Sequence, residues 1–160
     1  MIEAGEDIKF IARRLVILAS EDIGNANPNA LLLANATFQS ATSIGFPESR
    51  IILSQCAIYL ASSAKSNASY KAIKKAQQLV KQSGDLSVPF SIRNAPTKLM
   101  KELGYGDNYA SVHDYENAFV AHEFLPEEIS GTTFYQPGNN AKENQLKTYL
   151  KSLWKEKYDF

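Results

Sequence analysis

The residues best suited to chemistry lie close together, in KELGYGDNYASVHDY (residues 101–115). Gly104 and Gly106 can bare backbone N–H groups to a phosphate, and His113–Asp114 can hold a metal or move a proton. A phosphate loop, however, needs G-x-x-x-x-G-K-[ST], or G-x-G-x-x-G between a strand and a helix. Neither pattern is present. The glycine pair follows an expected helix and reads as a helix stop running into a turn, each glycine supplying a positive φ. Metal chemistry needs several ligands of the right type. The chain offers two histidines, His113 and His122, and one cysteine, Cys56. His113 therefore reads as a hydrogen-bonding residue in a tyrosine-rich packing surface, with Tyr105 and Tyr109 as candidates for packing within or between subunits. Cys56 lies in an apolar helical run, where a buried thiol is inert. No catalytic, cofactor-binding or metal-ligating residue is assigned, and the chain reads as no enzyme by itself.

Charge supplies the remaining candidates. The net charge is zero, from 17 basic and 17 acidic residues, yet residues 65–101 hold 8 basic side chains against the single acid Asp85, a net +7. Lys65, Asn67, Lys71, Lys74, Lys75, Arg93 and Lys98 are the candidate contacts to an anion such as DNA, through a positive face or the free N–H groups of a helix start at Lys65-Ser66-Asn67. The same residues also read as a solvated helix face and an ordinary N-cap. Arg13 and Arg14 interrupt an apolar helix. They read either as an exposed edge, paired with acids such as Asp7 or Glu21, or as an intersubunit ion pair, since arginine is enriched at interfaces.

The elements that must position these residues are mostly helical. Ile8, Ile11, Leu15 and Leu18 repeat at three-four spacing, beside a second stripe of Ala12, Val16, Ala19 and Ile23. Asp7 caps that helix and Gly24 follows its end. Asn27–Pro28 opens a second helix, Asn at the N-cap and Pro in the first turn, with Leu31, Ala34, Phe38 and Ala41 as its stripe and Gly45 as its stop. Pro47 opens a third, apolar nearly all round and so expected to be central and buried. Ser66 or Asn67 caps a fourth, with Tyr70, Ile73 and Val80 beside Ala72, Ala76 and Leu79 facing inward and Gly84 at its end. Asn94 is the expected cap of a short helix through Leu103. Residues 105–140 are rich in aromatics, Gly, Pro and Asn, and predict irregular structure or short strands, with one helical turn at Pro126–Ile129. A last helix spans roughly Lys142–Lys157, its apolar side made by Leu146, Tyr149 or Leu150, and Leu153. The fold class is mainly α, a helical bundle. The 160 residues form one domain's worth of chain, with a helical core at about 5–104 and an irregular segment plus last helix at about 105–160.

A lone cysteine excludes an internal disulfide. The acidic start MIEAGEDIKF is unlike the basic start of a signal peptide. The expected compartment is the cytoplasm.

Read in order, EAGEDIKFIARRLVILASEDIG, NPNAL, GFPE, IYLA, KSNASYKA, VPFSIRNAPTKLMKELGYG, HDYE, FLPEE and FYQP resemble the C-terminal region of the replication-associated recombination protein A family. This family is also called MgsA; its members are relatives of the clamp-loader ATPases, and its eukaryotic member is the Werner helicase-interacting protein. The resemblance runs from Glu3 to about Lys147. It implies a helical domain like the clamp-loader C-terminal collar, which assembles the parent as a homotetramer. The interface candidates are then Arg13, Arg14, Glu21, Tyr105 and Tyr109. It further implies a parent DNA-dependent ATPase at stalled replication forks, associated with DNA, the nucleoid and single-strand-binding protein. ATP and Mg would belong to an N-terminal ATPase module absent from this chain. The alternative is a module binding DNA or single-strand-binding protein through residues 65–101.

Overall fold

Asp7 starts the first helix as its position predicts: its Oδ1 accepts the Phe10 N–H at 2.8 Å, and α1 runs Ile8–Leu18. The computed structural model describes all residues 1–160. The helix widens into a π-turn, Ala19–Ile23, and stops at Gly24, φ 49° and ψ −135°. A Cβ at Gly24 would lie 2.9 Å from the Ser66 carbonyl oxygen, so glycine is required there by both conformation and space.

Helix α2 spans Asn29–Ile44 and α3 spans Ser49–Ala61. Asn27 is extended and Pro28 already helical, the geometry of an N-cap followed by proline in the first turn. The Asn27 side chain does not cap, however. It reaches the end of α3, where its Nδ2 donates to Tyr59 Oη and, just beyond the helix, to Ser63 Oγ, each at 3.0 Å. Helix α4 is Ala68–Ser83, α5 is Lys98–Glu102 and α6 is Ala141–Trp154. Gly45, Gly84 and Gly104 sit at positive φ beyond α2, α4 and α5, as helix ends require.

The chain groups into two compact units, residues 1–74 with 135–147, and residues 75–134 with 148–160. In the first, α1, α2 and α3 pack on one another. Ala12, Ala19, Ala30, Ala34 and Ala41 are buried between them; such small side chains let helices approach closely. Ile23, Leu53, Cys56 and Leu60 fill the space left. The buried stripe of α2 is Ala30, Ala34, Thr37 and Ala41, so Leu31 is exposed and Phe38 lies at the margin.

Helix α3 differs from its expectation. Leu53, Cys56 and Leu60 are buried, whereas Ile51 is 71% exposed and Ile58 67%. Two neighbouring helices cover only one side of a third, so an apolar sequence all round leaves an apolar outer face. For α4, Ala72, Ala76 and Leu79 are the inward stripe, and Ile73 and Val80 point to solvent.

The second unit is built of turns. Thr97, rather than Asn94, caps α5, its Oγ1 accepting the Met100 N–H at 3.3 Å; a β-hydroxyl directly before the first turn is placed to do so. Short strands are absent from the structure. Residues 105–134 hold positive φ at Gly106, Asn108, Asn117, Ala118 and Gly131, and each breaks an extended run before a ladder can form. One-turn 3-10 helices at Val112–Asp114 and Glu127–Ile129, and a turn at Glu116–Ala118 with left-handed Asn117 and Ala118, take up the backbone instead. An aromatic chain, Phe119 to Trp154 to Tyr158, packs edge-on with centroids 4.9 and 4.8 Å apart. On α6 the apolar side is Leu146, Leu150 and Leu153, and Tyr149 is exposed.

Candidate functional site

The glycine turn is spent on the fold. Gly104 N–H donates to the Lys101 carbonyl at 3.0 Å, Tyr105 N–H to Met100 at 3.0 Å and Gly106 N–H to Phe90 at 2.8 Å. All three successive donors already have acceptors, so the turn does not fit a phosphate. His113 and Asp114 are exposed, and no three His, Cys, Asp or Glu side chains come close enough together to hold a metal. His122 Nε2 lies 3.0 Å from Ser91 Oγ, while both oxygens of the adjacent Glu123 are engaged elsewhere. Burial pushes the Cys56 thiol up, against a smaller opposing effect from Thr37; the thiolate is disfavoured and the group is inert.

The cationic candidates part company. Arg93 packs beside two touching rings, its guanidinium 4.4 Å from the Phe90 centroid and 5.0 Å from that of Tyr105, the rings themselves 5.2 Å apart. Its Nε donates to the Val88 carbonyl at 2.6 Å and its Nη1 to Tyr105 Oη at 3.1 Å. Arg93 and Tyr105 thus pair with each other inside the second unit. Lys65 Nζ donates to the Leu60 carbonyl at 2.7 Å, Lys75 Nζ to that of Thr133, and Lys98 pairs with Glu102 at 3.8 Å. Lys74 lies over the Tyr70 ring at 4.4 Å; its hydrogen bond with Tyr70 raises its pKa, with Glu21 adding a small part. Lys71 and Asn67 are exposed. Arg13 lies over Phe10, 5.9 Å from the ring centroid. Neither Arg13 nor Arg14 forms an ion pair, so pairing with Asp7 or Glu21 is not found. Tyr109 is largely exposed.

Two further features stand out. Glu143, in the first turn of α6, is fully buried. Its Oε1 accepts from Tyr135 Oη at 2.7 Å and its Oε2 from Asn140 Nδ2, with Ser66 Oγ and Gly138 N–H as further donors. Burial raises its pKa, but these donors together outweigh burial and hold it below the ordinary value. Burial, with Glu143 opposite, pushes Tyr135 up to about 12, although its contact with Asn25 works the other way. The sequence does contain a signal. Asn140-x-x-Glu143 is a capping box, and the Glu143 N–H donates to Asn140 Oδ1 at 3.0 Å. Nothing local says that the glutamate is buried.

The second feature is the apolar surface of the first unit. Leu31, Leu32, Ile44, Phe46, Ile51 and Ile58 are exposed along α2, α3 and their connection. Apolar residues scattered singly on a surface are ordinary; several large ones on two neighbouring helices are candidates for a contact surface. No helix is long and apolar enough to cross a membrane.

Against known proteins, residues 1–154 match the family described as MgsA AAA+ ATPase C terminal. Replication-associated recombination protein A of Coxiella burnetii is 44% identical over 151 residues, 94% of this chain and 34% of that protein. Its namesake in Escherichia coli is 44% identical over 147 residues, 91% of this chain and 33% of that protein. The ATPase WRNIP1 of Dictyostelium discoideum is 39% identical over 137 residues, 85% of this chain and 16% of that protein. The chain spans about a third of the bacterial relatives' length, and it carries no Walker motif. Matched along nearly its whole length, the chain belongs to the MgsA family, as the C-terminal domain of replication-associated recombination AAA+ ATPases.

Proposed function

We propose that this domain holds together the subunits of a clamp-loader-like AAA+ ATPase as a homotetramer, in replication-fork maintenance and recombination, and performs no catalysis itself. The observation that carries this reading is the exposed apolar surface of α2 and α3. That surface costs solubility in a monomer and is stabilised once a partner covers it. ATP and Mg would act in an ATPase module beyond the matched third of the relatives, and the cytoplasm, at the nucleoid, is the compartment that suits the role. Light scattering tests assembly directly. A defined oligomer of closed symmetry is expected, and a strict monomer at tens of micromolar refutes self-assembly as the function.

A second reading, binding of DNA or of single-strand-binding protein, rests on α4. Between Ala68 and Ser83 the helix carries Lys71, Lys74, Lys75 and Lys81 and no acid. DNA affinity should then fall steeply with salt, through release of counterions from phosphates, and weaken on joint reversal of Lys71, Lys74 and Lys75 to Glu. Affinity unchanged by that reversal removes this face from consideration.

A further inference from the structure

We propose that a cleft in the second unit is a docking site for an extended peptide segment of another protein, one that carries a lysine or arginine beside apolar residues. The cleft holds 440 Å³, within the about 300–1,000 Å³ usual for ligand sites. One wall comes from residues 87–93, which include the one-turn 3-10 helix Phe90–Ile92, and the other from residues 122–130. Both walls are braced. His122 Nε2 lies 3.0 Å from Ser91 Oγ and ties one wall to the other. Arg93 Nε, donating to the Val88 carbonyl at 2.6 Å, holds the first in shape. Glu123 holds the second, accepting from Leu125 N–H at 3.0 Å, Ser130 Oγ at 2.9 Å and Gly131 N–H at 3.1 Å. A site whose shape is already fixed loses little binding energy to ordering.

Charge and apolar surface together identify the occupant. The lining carries Glu123, Glu127 and Glu128 against one cation, Arg93. Arg93 is already satisfied, by its two hydrogen bonds and by the rings of Phe90 and Tyr105. Glu123 has Lys157 at 3.8 Å. Glu127 and Glu128 are exposed and form no ion pair. A cleft with an excess of one sign focuses its field on what enters, so this one draws a cation and repels an acidic chain or a nucleic acid. Every fully buried side chain of the protein belongs to the first unit. The second has no such core, and Val88 and Phe90 line the cleft 53% and 51% exposed, with Leu125 and Pro126 half-buried on the other wall. Apolar side chains of a partner are favoured there by removal of this surface from water. Ser87 and Val88, also in the lining, have backbone N–H groups that donate to nothing in the protein. Main-chain pairing with an extended peptide requires such groups.

The test is selection followed by measurement. A random heptapeptide phage library is panned on the whole chain, and an enriched peptide is synthesised with a fluorescent label and titrated by anisotropy. Enriched peptides should join Lys or Arg to neighbouring apolar residues. Glu127→Lys and Glu128→Lys, made together, should weaken binding at least about tenfold. Val88→Ser should weaken it with the charges intact. All three positions are exposed, and circular dichroism checks that the variants fold. Hydrogen exchange should slow on binding in residues 87–93 and 122–130, which locates the peptide in the cleft. No enrichment, an acidic consensus, an affinity unchanged in either variant, or protection confined to other residues overturns the proposal. Each of those results leaves the assembly reading standing, because that reading rests on the first unit.

Discussion

Replacing Glu143 with Gln keeps the shape of the side chain and removes its charge, which makes it the sharpest probe of the first unit. Every group around the carboxylate is a donor: Tyr135 Oη, Asn140 Nδ2, Ser66 Oγ and Gly138 N–H. Gly138 comes so close that a Cβ there would lie 2.7 Å from Oε2. A glutamine offers one acceptor oxygen and turns an NH₂ towards the remaining donors. At least two charge-assisted hydrogen bonds are lost, at about 1.5–3 kcal/mol each, for a total cost of about 3–6 kcal/mol. For a chain of this size that lowers Tm by at least about 6 °C. Far-ultraviolet circular dichroism at neutral pH measures the gap.

The pH dependence gives a second check on the same variant. The folded-state pKa of Glu143 lies below its ordinary 4.5. Its contribution is therefore complete above that value and is lost as pH falls through the lowered one. The gap between the native chain and Glu143→Gln should narrow in acid. A gap below about 1 kcal/mol at neutral pH, less than one such bond is worth, or a gap that acid leaves unchanged, refutes the account of Glu143 as a charged buried hub.

Four other substitutions test other parts of the fold. Glu123 is held down to about 2 because bonds from Leu125, Ser130, Gly131 and Tyr158 outweigh its burial, so its stabilisation should vanish as pH falls from 4.5 towards 2. Lys157→Met, which removes the 3.8 Å pair with Glu123, should cost about 1 kcal/mol or less, and Glu123→Gln several times more; thermal melts compare the two. Gly24→Ala meets both the positive φ and the Ser66 carbonyl, and should cost about 1–3 kcal/mol by denaturant titration. Arg93→Lys cannot reproduce a planar guanidinium packed against Phe90 and Tyr105 with two directed bonds. It should speed hydrogen exchange around Phe90–Ile92 and Gly106 while leaving α1–α3 protected.

The punctuation of the fold was legible residue by residue. Asp7 caps α1, glycines end α2, α4 and α5, and proline follows Asn27, because each of these acts on backbone within a turn of itself. The glycine pair at 104 and 106 is likewise a helix stop, with its N–H groups consumed locally. Side-chain destinations were less legible. Asn27 has the identity and position of a cap and instead spans to Tyr59 and Ser63, more than thirty residues away. Arg93 belongs to a basic segment, yet its charge is spent against two rings that only the folded chain brings together.

What the sequence determined by itself was the helical class, most of the helix stops and the family, since each is written in short-range pattern or in long runs of matching residues. The tertiary structure alone decided which faces are covered. Helix α3 carries large apolar residues on both sides as a sequence, and burial is a property of neighbours: α1 and α2 cover Leu53, Cys56 and Leu60 and leave Ile51 and Ile58 in water. Glu143 shows the converse. A glutamate in a helix's first turn is ordinarily solvated, and this one is buried because the nearby Tyr135 and Gly138 and the distant Ser66 converge on it, and together replace the water a carboxylate would otherwise need.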